Sequence, residues 1–393
     1  MPDRVTVTRR TGWFSRVADS IKSVVFGAAL FVAAFPLLFW NEGRAVKTAR
    51  SLAEGSGIVV SVSPDRVDSA NEGRLVHVSA FAKTDDVLRD DSFGIAETAI
   101  RLVREVEMYQ WVESQRSNTE KKLGGGEETV TTYEYSKEWR GSLVDSAGFQ
   151  SSDGHRNPAA FPYEERTETA SGVSLGAFTL SAEQIQMLNR SEALEIAELP
   201  STLSRNARLQ DGAIYIGAEP SSPAVGDVRV RFRVVRPGAV SVVAGQTGSS
   251  FEPYRAEAGG TIFLLEESVA SAASMIETAE ANNAMATWLI RGLGFFLMFL
   301  GLFLVFRPIA VFGDVVPFVG SLLRAGVGVV SALMAAVFCF LTIAVGWFAY
   351  RPILGVVLVA LGVGAFLLLI KVARRQPAPV ALAGPPPLPS PRA

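Results

Sequence analysis

Ala325 to Tyr350 reads AGVGVVSALMAAVFCFLTIAVGWFAY, 26 residues without a charged side chain. A helix needs about 20 mostly apolar residues to cross the hydrocarbon core of a bilayer, with about 17 as the practical minimum. This stretch exceeds that length and decides the class of the fold. Its neighbour, Pro352 to Ile370, is charge-free for 19 residues, and Tyr350, Arg351 and Pro352 between them predict a tight helical hairpin. Trp288 to Phe306 is apolar apart from Arg291, which lies near the start of the run and can snorkel to the interface. Ser23 to Trp40 carries no charge and just meets the required length. A buried soluble helix explains one such run, but not three clustered in 83 residues.

The expected fold is therefore an α+β membrane protein with four transmembrane helices, one N-terminal and three C-terminal. A large β-rich extramembrane domain is inserted between the first and second. The boundaries read as a basic tail (1–22), helix (23–40), β-rich domain ending in a helical stalk (41–286) and helix (287–306). An interfacial connection (307–324), two further helices (325–350 and 352–370) and a basic, then Pro-rich tail (371–393) follow. The bulky Leu38, Phe39 and Trp40 end the first run where signal cleavage wants small residues, so a retained anchor is expected.

Arg and Lys set the orientation. The N-terminal tail carries Arg4, Arg9, Arg10, Arg16 and Lys22 against Asp3 and Asp19, and the C-terminal tail has Lys371, Arg374, Arg375 and Arg392 with no acid. The 307–324 connection has Arg307 and Arg324 against Asp314. All three are expected in the cytoplasm, with the β-rich domain in the lumen or periplasm. Arg44, Lys47 and Arg50, just after the first run, pull the other way.

Net charge is only -2, which gives a nucleic-acid partner no electrostatic support. The single cysteine, Cys339, lies in an apolar run, so the β-rich segment has neither a disulfide framework nor a cysteine zinc site. Arginine outnumbers lysine and alanine is abundant, a composition that points toward a GC-rich bacterial coding origin.

Within the β-rich segment, Val228, Val230, Phe232 and Val234 alternate with Arg229, Arg231 and Arg233, a strand with one dry and one wet face. Strands are also expected over 239–245 and 261–265. The segments 104–116 and 128–140 flank Gly124, Gly125 and Gly126, which predicts a long hairpin. Tyr109, Trp111, Tyr133, Tyr135 and Trp139 along it read as cross-strand packing rather than a ligand-stacking surface. Ser181 with Gln184 resembles a capping box.

A set of short motifs runs the length of the chain. Asn41-Glu42-Gly43-Arg44-Ala45 is followed by Lys47-Thr48-Ala49 and Ser51-Leu52-Ala53-Glu54-Gly55. Then come Asn71-Glu72-Gly73-Arg74-Leu75-Val76-His77, Val106-Glu107-Met108-Tyr109-Gln110-Trp111 and Glu138-Trp139-Arg140. Gly154-His155-Arg156-Asn157-Pro158, Val225-Gly226-Asp227-Val228-Arg229-Val230 and Tyr350-Arg351-Pro352 complete the series. In order and content these resemble the transmembrane protein 43 (LUMA) family over nearly the whole chain. The resemblance implies a multipass protein of the inner nuclear membrane and endoplasmic reticulum in animals, where it organises the envelope with lamin and emerin-like partners. In a bacterium it implies the inner membrane and a more basic role, scaffolding membrane complexes or lipid microdomains. The tail from Gln376 to Ala393 matches no family feature and reads as a polyproline-like segment.

Candidate chemistry is sparse. The tetrapeptide Asn41, Glu42, Gly43 and Arg44 reads as a helix terminus, with Gly43 left-handed; the competing reading is a clasp in which Glu42 and Arg44 brace the domain at headgroup level. His77 and His155, the only histidines, are not brought together by spacing, so hydrogen bonding is expected rather than metal ligation. No nucleophile elbow, phosphate loop or HExxH helix is present, so neither an enzyme nor a cofactor is expected. Apart from Arg291 the spans hold no ionisable residue, which disfavours an oligomeric channel or transporter. Their polar residues Ser331, Thr342 and Cys339 can bond their own helix backbone. Gly294 with Gly301, and Gly355 with Gly362, form candidate helix-packing faces, either within the bundle or between copies in a homo-oligomer. The function expected is a non-enzymatic membrane scaffold whose partners are the lipid bilayer and membrane or envelope proteins.

Overall fold

The computed structural model describes residues 4–199, 203 and 206–353. Three of its helices are long and apolar enough to cross a membrane. These are α1 (Trp13–Ile58), α3 (Ala272–Gly313) and α4 (Pro317–Tyr350); the one-turn α2 (Ala182–Met187) lies in the β-rich domain and carries the Ser181–Gln184 capping box. The expected fourth span, 352–370, and with it Gly355 and Gly362, falls outside the described residues apart from its first two positions.

The helices run well past the apolar stretches. Residues 41–58, assigned from sequence to the β-rich domain, instead continue α1, and Gly43 sits inside the helix rather than ending it. The stalk expected from 267–286 thus has two helices, the last turns of α1 and the first of α3. The 307–324 connection is likewise mostly helical: α3 continues through Pro308 to Gly313, and α4 begins at Pro317. Proline is tolerated at that first helical position because its missing N–H is one that no carbonyl would have received.

Small residues let α1 and α3 approach closely. A Cβ on Gly301 would stand 2.7 Å from both the Gly27 carbonyl oxygen and the Phe31 nitrogen, and one on Gly294 would strike Leu38. The seven-residue glycine pair therefore packs within this chain. Ala34, Leu38, Met298, Leu302, Ala335 and Cys339 form the buried centre of the three-helix bundle.

The strands form two main sheets with separate cores. One contains Leu75–Lys83 paired antiparallel with Gly238–Thr247, and its core includes Val76, Val78, Leu175, Phe178, Val240 and Val242. The other pairs Val228–Val235 with Arg101–Lys121, over a core including Val106, Met108, Val230 and Phe232. The arginines alternating with that core lie along acidic partners. Burial pushes the Glu107 carboxyl up, but hydrogen bonds and charge from Arg229 and Arg231 outweigh it and hold it below the usual carboxylate range.

The predicted hairpin is longer than its sequence signal, Arg101–Lys121 with Glu127–Arg140. Tyr109 lies opposite Trp139, their rings 5.2 Å apart, which is the cross-strand packing expected. His155 fills the adjacent space, stacked on Tyr135 at 4.0 Å with its edge toward Trp111. Asn157 receives the Trp111 amide and donates to its carbonyl, so one side chain acts as a short strand partner. The basic tail, moreover, is not free of structure: Arg4–Thr11 forms a third strand on this hairpin, with Thr8 opposite Val130.

The glycine contacts separate two substitutions of similar size. Gly301→Ala should destabilise the bundle by about 1–3 kcal/mol, the range for overpacking. Gly292→Ala, with nothing within 4 Å of the added carbon, should be neutral or slightly stabilising. Unfolding of the purified protein in detergent measures both; equal losses would mean that α1 and α3 do not pack through this face.

Candidate functional site

Two polar clusters sit on the helical bundle. The first contains the Asn41–Arg44 tetrapeptide. The Glu42 side chain is 2 % exposed, and Arg291 of α3 grips it with both arms of the guanidinium, Nε to Oε1 at 2.7 Å and an Nη to Oε2 at 2.8 Å. Trp347 of α4 donates its indole N–H to the same carboxylate at 2.9 Å. The Arg291 guanidinium lies 4.8 Å from the Trp288 ring centre, a cation–π contact that covers the charge with apolar surface. Arg291 does not snorkel outward; it turns in to Glu42.

The other tetrapeptide residues bind α3 as well. Asn41 donates to the Thr287 carbonyl, and Arg44 donates to Asn283 Oδ1 at 2.9 Å and Thr287 Oγ1 at 3.0 Å. Asn283 returns a hydrogen bond to the Ala45 carbonyl. Gly43 is needed because the Tyr350 ring lies against it, where a Cβ would stand 2.6 Å from the ring. The tetrapeptide is not a helix terminus, since Gly43 lies inside α1, and it ties α1 to α3 and α4. Its partners on α3 and α4 carry no local sequence signal, since they lie 239 to 305 residues away.

The second cluster surrounds Asp314 in the turn between α3 and α4. Its carboxylate is fully buried and meets Arg16, Lys121 and Arg324, the last at 3.1 Å. Arg16 also pairs with Glu127 at 2.8 Å and donates to the Gly125 carbonyl, so the tip of the long hairpin closes over the start of α1.

The spacing of the clusters is informative. Arg16 and Glu42 are 26 residues apart on α1, roughly 39 Å at 1.5 Å per residue. Arg291 to Asp314 on α3, and Arg324 to Trp347 on α4, are each 23 residues, roughly 35 Å. A bilayer is about 30 Å thick in its hydrocarbon and about 40–45 Å across its headgroups. The polar clusters therefore bracket a bilayer-sized interval whose central stretches, 23–40, 292–306 and 325–346, carry no charged residue; Asp19, Lys22 and Arg307 lie toward its Asp314 end.

The histidines stay apart. His77 contacts Ser61 Oγ at 3.1 Å and the Ala270 carbonyl oxygen at 2.9 Å, while His155 is held among the hairpin aromatics. Among the described residues no group of three or more His, Cys, Asp or Glu side chains could hold a metal ion. Thr342 bonds the Phe338 carbonyl of its own helix as expected, but the buried Ser331 hydroxyl has no partner among the described residues.

Removing one member of the buried pair should be far worse than removing both. Glu42→Ala strands the Arg291 charge and should cost about 3–5 kcal/mol, whereas Glu42→Met with Arg291→Met should cost clearly less. Equilibrium unfolding in detergent decides it; equal losses would mean that burial of the charge is not what makes the pair matter.

Comparison with known proteins gives a consistent answer. The sequence profile described as Transmembrane protein 43 matches residues 108–352. Transmembrane protein 43 of Mus musculus is 36% identical over 363 residues, covering 89% of this chain and 90% of the relative. The Homo sapiens protein is 34% identical with the same coverage, and a Drosophila melanogaster homolog is 31% identical over 350 residues, 87% of this chain and 93% of its own. These relatives are animal proteins and lend no support to a bacterial origin. No solved structure matches. With identity at this level over nearly its full length, the chain belongs to the Transmembrane protein 43 family of membrane proteins.

Proposed function

We propose that the protein is a non-enzymatic multipass membrane scaffold that organises membrane protein complexes or lipid microdomains. The observation that supports this best is the location of charge. Along α1, α3 and α4 the buried charged groups are tied into the two clusters, and the 23–40, 292–306 and 325–350 stretches between them carry no charged residue. Carriers of protons or ions keep ionisable groups at mid-bilayer, where they are costly and retained for work. Here the charges fasten helices to one another, as suits a rigid support for the β-rich domain. The relatives' names describe membrane proteins and no catalytic activity. Self-association remains part of the proposal, through a surface other than Gly294 and Gly301, which α1 already occupies. Lamin and emerin-like envelope partners and the cytoplasmic placement of both termini belong to the same reading.

Insertion in lipid has a consequence for the hairpin. From Glu113 to Glu134 it is rich in Ser, Thr and Glu, with hydroxyl pairs such as Ser117 with Thr131, and its ribbon has unpaired backbone edges. Each unsatisfied backbone group costs several kcal/mol in hydrocarbon, so this ribbon cannot lie against lipid tails. In a bilayer, its docking at the Asp314 end and its pairing with the N-terminal strand must give way. Thr8→Cys with Val130→Cys, in a Cys339→Ser background, should therefore form no disulfide in intact membranes. A disulfide there would place the tail and hairpin on one side, with other protein shielding the ribbon.

Isolation in native lipid particles tests the scaffold itself. Stoichiometric co-purifying proteins or lipids, or a defined oligomer, are expected. A homogeneous monomer without companions, or ion flux through liposomes holding the pure protein, would defeat the proposal in favour of the channel or transporter.

A further inference from the structure

At the base of the two-helix stalk, α1 presents Arg44, Lys47 and Arg50 in steps of three residues. They line a cavity of about 510 Å³ whose other walls include Trp40, Val46 and Tyr350. Its cationic capacity is unspent. Lys47 and Arg50 form no ion pair among the described residues, and the buried Nε of Arg44 has no acceptor. Arg50 uses one Nη on the Tyr350 carbonyl at 2.9 Å, which leaves its other donors available. The acids close by do not neutralise the group. Glu42 is taken by Arg291, Glu54 accepts from the Glu257 and Ala258 amides, and Glu257 points to solvent with no ion pair among the described residues.

The position of the cavity names the ligand. Trp and Tyr gather at the membrane–water boundary, and Trp40 and Tyr350 mark that level on α1 and α4. Helical side chains tilt toward the N-terminus of their helix, which brings those of Lys47 and Arg50 back toward Trp40 and the bilayer. Trp40 and Val46 supply apolar wall beside the cations, the arrangement a lipid presents in reverse: an anionic head next to an acyl chain.

We propose that this cavity binds an acidic phospholipid, its phosphate held by Lys47 and Arg50 beside the Arg44 guanidinium, its upper acyl chain against Trp40 and Val46. The site needs only that the chain sits in a membrane, and stands whether or not the protein scaffolds anything. It also gives a task to three cations that oppose the orientation set by the N-terminal tail.

The test uses the full-length protein, delipidated in a neutral detergent, and follows its melting temperature. Dioctanoyl phosphatidylglycerol should raise that temperature in a saturable way that added salt weakens, while dioctanoyl phosphatidylcholine and inorganic phosphate should not. The K47A/R50A variant should bind the anionic lipid roughly tenfold or more weakly, and K47R/R50K should retain most of the binding. Because removing Arg50 exposes the end of α4, K47Q provides a second variant whose lost side chain has no partner among the described residues; it should weaken binding several-fold. Equal response to the zwitterionic lipid, or unchanged binding in K47Q and K47A/R50A, overturns the proposal. Equal stabilisation by inorganic phosphate would make this a free-phosphate site and overturn the lipid assignment.

Discussion

A carboxylate buried where three apolar helices meet must be compensated, and that requirement organises the rest of the bundle. Glu42 is answered by Arg291 and Trp347, so α1, α3 and α4 each contribute one group to a single contact. Because a bidentate pair tolerates little misalignment, it fixes the rotation of each helix as well as its height. Dispersion and glycine contacts below it, at Gly294 with Leu38 and Gly301 with Gly27, could be met by several small slides along the helix axes. The ionic contact admits one. Its energy need not be net stabilising for this to hold, since buried pairs often cost as much to desolvate as they return.

From that fixed point the stalk carries order outward. Above Glu42, α1 and α3 stay helical for four further turns or so because Arg44, Asn283 and Thr287 bind across them. At the top, Gly55 admits Ile262 and Leu75, and Leu75, Val243, Ile262, Ala272 and Met275 join the first sheet to the helices in one core. Glu54 and Ser51 hold the 256–260 turn by its amides. The domain is thus attached through packed side chains as well as through its two chain connections.

The parts of this structure that were legible in the sequence are those governed by local periodicity. The apolar runs in α1, α3 and α4, the alternation over 228–235, the glycine-marked hairpin and the Ser181 capping box all depend on residues within one element. The rest depends on distant partners. Gly43 looks like a helix stop because a left-handed cap is its commonest use, yet here its missing side chain makes room for Tyr350 from the far end of the chain. Pro308, Gly313 and Pro317 likewise suggested a broken interfacial segment, but two of the three stand at helix ends and Pro308 is carried within α3. The tail strand was invisible, since Arg4–Thr11 gains strand character only from Glu127–Glu134 alongside it.

Counting cations to orient the chain treats every Arg and Lys as equal, and the structure divides them. Arg44 is held by Asn283 and Thr287, Arg16 by Asp314 and Glu127, and Arg291 by Glu42; these are internal fasteners, their charge directed at the protein. A cation whose charge is already neutralised contributes little to the potential that biases insertion, because the field of a close pair falls off faster than that of a lone charge. On the domain side Arg44, whose partners Asn283 and Thr287 are neutral, keeps its charge and stays in the opposing set with Lys47 and Arg50. On the other side Arg16 keeps Asp314 in the α3–α4 turn whether or not the hairpin tip is docked, whereas Arg4 and Arg10 pair with Glu134 and Glu128 of the hairpin, contacts that a ribbon excluded from lipid would release. Under the proposed insertion that release returns cationic charge to the N-terminal tail, in the same sense as the orientation proposed from its composition.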